Sequence, residues 1–189
     1  MKPKIGIALT GSFCTFRRVM DVLKNLEDYE LIPIMSEVAY TCDTRFGSSE
    51  SFRTALEELC NTSILHTLQQ VEPLGPKKLL DALVILPCTG NTLGKLAGGI
   101  ADSPVTLAAK AHLRNGRPVI LGISTNDGLS AAGVNIGKLL NRKHYYFIPF
   151  GQDDPREKPY SLVAHMELLP QTLAHALREE QYQPILREY

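Results

Sequence analysis

The sequence has no excess of charge of either sign. Lys plus Arg number 20 and Asp plus Glu number 20, for a formal net charge of zero. Binders of nucleic acid or of acidic membranes draw their affinity from a surplus of cations, so neither class is expected. No apolar run approaches the roughly 18 residues that span a bilayer. The stretch Ile5 to Leu9, after Lys2 and Lys4, is too short for a signal segment and stops at Thr10-Gly11-Ser12 without an Ala-x-Ala site, so a cytoplasmic protein is expected. The cysteines are Cys14, Cys42, Cys60 and Cys88. None forms a Cys-x-x-Cys or stands at zinc-ligand spacing from a His, so no metal site and, in the cytosol, no disulfide is expected. There is no G-x-G-x-x-G, no P-loop Lys, no internal repeat and no low-complexity linker.

What is present is an ordinary globular composition, 44% apolar and 21% charged over 189 residues. That length suits a single domain over residues 1–189 and can bury a core without staples. Apolar character alternates between two periods. Lys4 to Leu9 reads as a strand, and Phe16, Val19, Met20, Leu23 and Leu26 come after it at helical spacing. Leu31 to Met35 is a second strand, with an interruption expected at Pro33. Phe52, Ala55, Leu56, Leu59 and Cys60 form a helical stripe capped by Ser49. Ile64 to Leu68 is a weak strand, and Pro73, Gly75 and Pro76 break any regular structure beyond it. Asp81 to Pro87 has the uninterrupted apolar run of a strand covered on both faces. A small-residue helix comes next, around Gly94 to Gly99, and Ser103-Pro104 starts another. Then come a strand to Ile123, a polar turn Ser124 to Gly128, a helix to Arg142 and an aromatic strand Tyr145 to Phe150. Leu162, Met166, Leu169, Leu173 and Leu177 read as a helical stretch over residues 160–180, kinked at Pro170. The alternation predicts an α/β fold: a three-layer, doubly wound parallel sheet with every strand-to-helix turn at one edge. Ligands of such folds sit at the carboxyl ends of the strands.

The turns at that edge are rich in hydroxyl, amide and Gly residues. Gly11-Ser12 opens the first helix, whose free N–H groups and positive dipole end suit a phosphate; a simple capped turn has the same residues. The segment Pro87-Cys88-Thr89-Gly90-Asn91-Thr92-Leu93-Gly94-Lys95-Leu96-Ala97-Gly98-Gly99 is more specific. It closely resembles the Pro-Ala-Ser-Ala-Asn-Thr segment of the flavin-dependent cysteine decarboxylase-like flavoproteins, a family of homo-oligomeric FMN binders with a flavodoxin-like fold. That family also has a Gly-Ser turn after its first strand, as at Gly11 and Ser12, and a hydroxyl after its second, as at Ser36. The resemblance runs from residue 4 to about residue 125. Asp43-Thr44-Arg45-Phe46-Gly47, Pro104 to Asn115, Ser124 to Gly128 and Phe150 to Pro155 resemble one branch of it, the flavoprotein-type subunits of a two-subunit oxidising enzyme of endospore formation.

The resemblance implies FMN held by Gly11, Ser12, Ser36, Cys88, Thr89, Asn91, Thr92, Thr106 and Thr125. It implies a dicarboxylate substrate, a dihydropyridine oxidised to a pyridine, with Asn91 and Arg45 closest to the chemistry. It also implies a partner subunit of Rossmann type carrying NAD(P), self-association, and a place in the mother-cell cytoplasm. Plainer roles compete: Asn91 as a helix cap, Thr106 as a helix-face hydroxyl, Cys88 as a packed thiol, Lys95 as a solvated cation. Two features depart from the family. Its decarboxylases carry a His shortly before the strand that enters the motif, and aligned by eye Gly75-Pro76 stands there, with His66 nearest. The Arg of its prenyl-transferring members is Ser124 or Thr125 here. Two other readings stay open, an assembly subunit with a vestigial pocket and a free-standing decarboxylase or prenyltransferase.

Overall fold

The computed structural model describes residues 2–189. The chain runs β1 (Lys4–Leu9), α1 (Phe16–Leu23), β2 (Glu30–Met35), α2 (Glu37–Thr41), α3 (Ser49–Cys60), α4 (Leu68–Val71), β3 (Ala82–Cys88), α5 (Gly90–Gly98) and α6 (Pro104–Arg114). It continues through β4 (Val119–Thr125), α7 (Gly133–Leu140), β5 (Tyr145–Phe147), β6 (Phe150–Gly151), β7 (Leu162–Ala164) and α8 (Leu169–Ala176). One seven-stranded sheet holds the strands in the order β2-β1-β3-β4-β7-β6, with β5 also on β4. All seven residues of β3 are buried, and only Lys4 of β1 is not, because helices cover both faces of the central strands.

The sheet is flavodoxin-like but mixed, which corrects the all-parallel expectation. Strands β2, β1, β3, β4 and β5 are parallel. The outer edge of β4 is shared: Val119 to Leu121 pair with β5, while Ser124 and Thr125 pair with the antiparallel β7. Strand β7 in turn pairs antiparallel with β6.

Four local expectations change. Pro33 does not interrupt β2; the register runs unbroken from Lys4↔Glu30 to Leu9↔Met35, because a missing N–H is tolerated on an edge strand. The cap of α3 is Ser48, whose hydroxyl accepts from Ser51 N, and Ser49 is already helical. Ile64 to Leu68 is no strand; only Leu65 bridges to Ile34, and Leu68 begins α4. Leu162 to Ala164 is strand, and Pro170 opens α8 rather than kinking it, being free of any need for an N–H in the first turn.

Helices α1 and α3 meet through Phe16 and Phe52, ring centroids 5.0 Å apart at 82°. The reversal of strand order between β1 and β3 opens a crevice at their carboxyl ends, the position where such sheets take ligands.

Candidate functional site

A cavity of about 990 Å³ occupies that crevice. The turn after β1 contributes Gly11 and Ser12, the turn after β3 contributes Thr89 to Asn91, and the end of β4 contributes Ser124 to Asp127. Cys14 and Thr15 ahead of α1, Arg18 of α1, Arg45 and Phe46 of the loop before α3, and Asp153, Lys158, Ser161 and Val163 around β7 complete the wall. A second concavity, about 740 Å³, lies at the amino ends of β1 and β2, between Lys2, Leu26, Tyr29 and Cys60. It faces away from every turn singled out in the sequence.

The three turns are tied together from below. Thr10, buried at the end of β1, donates its hydroxyl to the Pro87 carbonyl at 2.7 Å and accepts from Thr89 N at 3.2 Å. Thr89 is the N-cap of α5, accepting from Thr92 N, and its hydroxyl meets that of Thr92 at 3.0 Å. The Ser12 and Ser124 hydroxyls share a hydrogen bond of 2.7 Å, linking the ends of β1 and β4. The Thr125 hydroxyl donates to Asp127. A Cβ at Gly90 would sit 2.7 Å from Thr125 Oγ1 and 2.8 Å from Asp127 Oδ1, so a larger residue would have to displace that hydrogen-bonded pair. At the rim, Asp153 accepts from Ser161 Oγ at 2.7 Å and pairs with Lys158 at 3.4 Å. Burial works against the Asp153 carboxylate, but these two donors hold its pKa below the ordinary value.

Of the residues singled out in the sequence, Gly11, Ser12, Arg45, Thr89, Asn91 and Thr125 line the cavity. Asn91 is exposed at the second position of α5; the cap of that helix is Thr89, so the capping role considered for Asn91 is taken. Four others stand elsewhere. Ser36 caps α2, accepting from Ala39 N at 3.3 Å. Cys88 is fully buried in the core, where burial pushes its thiol pKa far above the ordinary value and leaves no thiolate. Thr92 is buried behind Thr89. Thr106 forms a capping box with Ser103, one turn into α6 and outside this cavity. Lys95 pairs with Asp102 at 2.8 Å and is likewise absent from the cavity wall. Sequence reasoning placed Thr10 in the first turn without assigning it a role, and it missed Arg18, one of the polar residues between the apolar positions of the first helix. It also missed Ser161 and Lys158, which enter only because β7 is a strand.

Gly75-Pro76, aligned by eye with the family His, lies away from the cavity. Gly75 lies against Ala111 and accepts from Asn115 Nδ2 at 2.9 Å, at the C-terminal end of α6. That is the opposite edge of the sheet, and neither Gly75 nor Pro76 is among the residues lining the cavity. His66 stands instead at the carboxyl edge. Its neighbour Leu65 accepts from Met35 N at 3.0 Å, and the His66 ring stacks on Tyr40 with centroids 3.7 Å apart. Arg53 lies 4.5 Å from the centre of the same Tyr40 ring.

The family model for flavoproteins, described as Flavoprotein, matches residues 1–133. The chain belongs to the Flavoprotein family. Within it, the chain is 48% identical over 187 residues to the B subunit of dipicolinate synthase from Bacillus subtilis (strain 168), covering 98% of this chain and 94% of the relative. It is similar to the crystal structure of the dipicolinate synthase B subunit from Bacillus halodurans, with a TM-score of 0.90, 45% identity and coverage of 100% and 99% of the two chains. The fold alone is shared with the FMN-dependent cysteine decarboxylase SpaF, at a TM-score of 0.68 and 19% identity over 94% and 97% of the chains. The span matched by the family model contains β1, β3 and β4, whose carboxyl ends line the cavity. Among the described residues, no helix is long and apolar enough to cross a membrane, and no cluster of His, Cys, Asp and Glu has metal-site geometry.

Proposed function

We propose that this chain is the flavoprotein-type subunit of a dipicolinate synthase. It holds FMN in the crevice cavity and acts with a Rossmann-type, NAD(P)-carrying subunit to oxidise dihydrodipicolinate to dipicolinate during endospore formation. The observation that carries this reading is the 48% identity over nearly the whole chain to a subunit of that enzyme. The cavity supports it. Free N–H groups at the start of α5, the Ser12 and Thr89 hydroxyls and the Asn91 amide lie around one space, and Gly90 lets the turns after β3 and β4 lie close together.

The residues that would hold FMN are Gly11, Ser12, Thr89, Asn91 and Thr125; when bound, the flavin supplies a two-electron acceptor. Thr10, Thr92 and Ser36 act behind them by fixing the turns. Oxidation of the substrate removes a hydride and a ring proton, and the aromatic pyridine that results makes the step favourable. The protein's task is then to position the ring and hold its carboxylates. Arg45, which has no acidic partner among the described residues, presents a fork matched to a carboxylate. The Asn91 amide fixes the ring's edge.

Denaturing the purified protein should release a flavin absorbing near about 450 nm. If FMN neither co-purifies nor binds on addition, the cofactor half of this reading is wrong. A second reading is an enzyme acting alone on a family-type substrate; His66 lies at the carboxyl edge but stacks on Tyr40 and is not among the residues lining the cavity. Decarboxylation of a peptidyl cysteine by this chain with FMN and no partner would establish it.

A further inference from the structure

Behind the cavity wall, next to β7, four side chains from three parts of the chain meet, of which Arg18 reaches the cavity. Arg18 of α1 lines the cavity and donates from Nη2 to Glu167 Oε2 at 3.0 Å. Its guanidinium carbon lies 5.8 Å from the centre of the Tyr189 ring. His165, nearly buried, has Nδ1 3.2 Å from the other oxygen of Glu167 and stacks on Tyr189 with centroids 4.2 Å apart. Tyr189 is itself fixed. Its hydroxyl donates to the Ala164 carbonyl at 2.8 Å, and the segment before it is laced to β6 through Phe150 N to Ile185 O and Arg187 N to Phe150 O. A Cβ at Gly151 would overlap the Arg187 carbonyl, so glycine is required for that strap to lie down.

We propose that Arg18 is a second cationic anchor of the cavity, acting with Arg45 on a ligand that carries two carboxylates, and that Glu167 and Tyr189 position it. The inference rests on the reading of the cavity as a dicarboxylate site. Arg18 reaches the cavity from α1 and Arg45 from the loop before α3, two separate parts of the wall. The bond to Glu167 uses one of the five N–H donors of Arg18, and the pairing restricts the guanidinium's swing. Two carboxylates also line the cavity: Asp153 accepts from Ser161 and is paired with Lys158, while Asp127 accepts from Thr125 and keeps its charge. Of the cations on the wall, Lys158 is paired with Asp153 and Arg18 with Glu167, while Arg45 has no acidic partner among the described residues; the N–H donors of Arg18 not used by Glu167 are what it offers a ligand. Two such anchors discriminate: a monocarboxylate engages one, a dicarboxylate both.

The test measures dissociation constants of pyridine-2,6-dicarboxylate and pyridine-2-carboxylate by titration calorimetry. It uses the full chain with FMN present, as wild type, Arg18→Gln, Arg18→Lys and Tyr189→Ala. Arg18→Gln should weaken the dicarboxylate roughly tenfold or more, in line with loss of a charged hydrogen bond, and leave the monocarboxylate within about twofold. Arg18→Lys should fall between, and Tyr189→Ala should show a smaller loss with the same selectivity. Equal loss for both ligands, or none, overturns the proposal and leaves the functional reading intact. Selective loss of FMN over riboflavin in Arg18→Gln makes Arg18 a phosphate anchor and also overturns it. If the wild type binds neither pyridine, the reading of the site itself fails and the proposal with it. Melting curves check folding; if Arg18→Gln unfolds, the selectivity of Arg18→Lys decides.

Discussion

His112 couples the stability of the fold to pH. It is buried in α6, with Nε2 lacking any hydrogen-bond partner among the described residues. Burial, aided by the Arg117 charge, lowers its pKa to about 4. The neutral ring therefore folds, while the unfolded chain takes up a proton as pH drops below its ordinary value of 6.5. Stability is full above pH 6.5 and falls toward pH 4, by about 3 kcal/mol at most. His112→Leu should flatten the melting temperature against pH across that window; an unchanged slope would show the ring is not the titrating group. At the cavity, Asn91→Asp puts a carboxylate where a flavin or substrate anion is expected, and should weaken FMN binding about tenfold or more. Asn141→Asp, at the C-terminal end of α7 and off the motif, should not. Equal effects in a fluorescence titration would remove Asn91 from the site. At this scale, turn chemistry alone was ambiguous, since Gly, Ser, Thr and Asn are ordinary turn and cap residues; Gly11, Ser12, Thr89, Asn91 and Thr125 stood out through the resemblance to a family motif. Cys88 and Thr106 carried the same residue chemistry but face the core and a cap, and sequence spacing does not encode which way a side chain at a strand end turns.

Among the elements, the capping box at Ser103 and Thr106 does local work. Ser103→Ala should cost about 1 kcal/mol in urea denaturation, and Thr106→Val should lower stability while leaving FMN affinity unchanged. A selective loss of flavin in Thr106→Val would return that hydroxyl to the site. The strand-turn-helix units β1–α1 and β3–α5 were legible because apolar period and turn chemistry agree there. The C-terminal part was not. Leu162, Met166, Leu169 and Leu173 fall at helical spacing, yet β7 is only three residues long and its pairing with Ser124 and Thr125 is a contact distant in sequence. A three-residue strand has too few alternations to outweigh a helical stripe. Pro170 misled in the same way, since a proline inside a stripe and one opening a helix look alike until the stripe is known to be two elements.

As a whole molecule, the chain presents exposed Ile100, Val134 and Leu140 near the contact of α5 with α7, and a Cβ at Gly137 would meet nothing. We expect this surface to pack against a second copy, and light scattering at micromolar concentration should return a mass above the 20.9 kDa of one chain. A monomer would contradict that expectation. The central claim, that this flavoprotein is one of two subunits that together make dipicolinate, is tested most directly by reconstitution. Dihydrodipicolinate is supplied to this chain, to its Rossmann-type partner and to both, and the near-ultraviolet absorbance of the aromatic product is followed. The account predicts product at a useful rate only when both subunits are present. Full activity from the partner alone, unchanged when this chain is added, would contradict it.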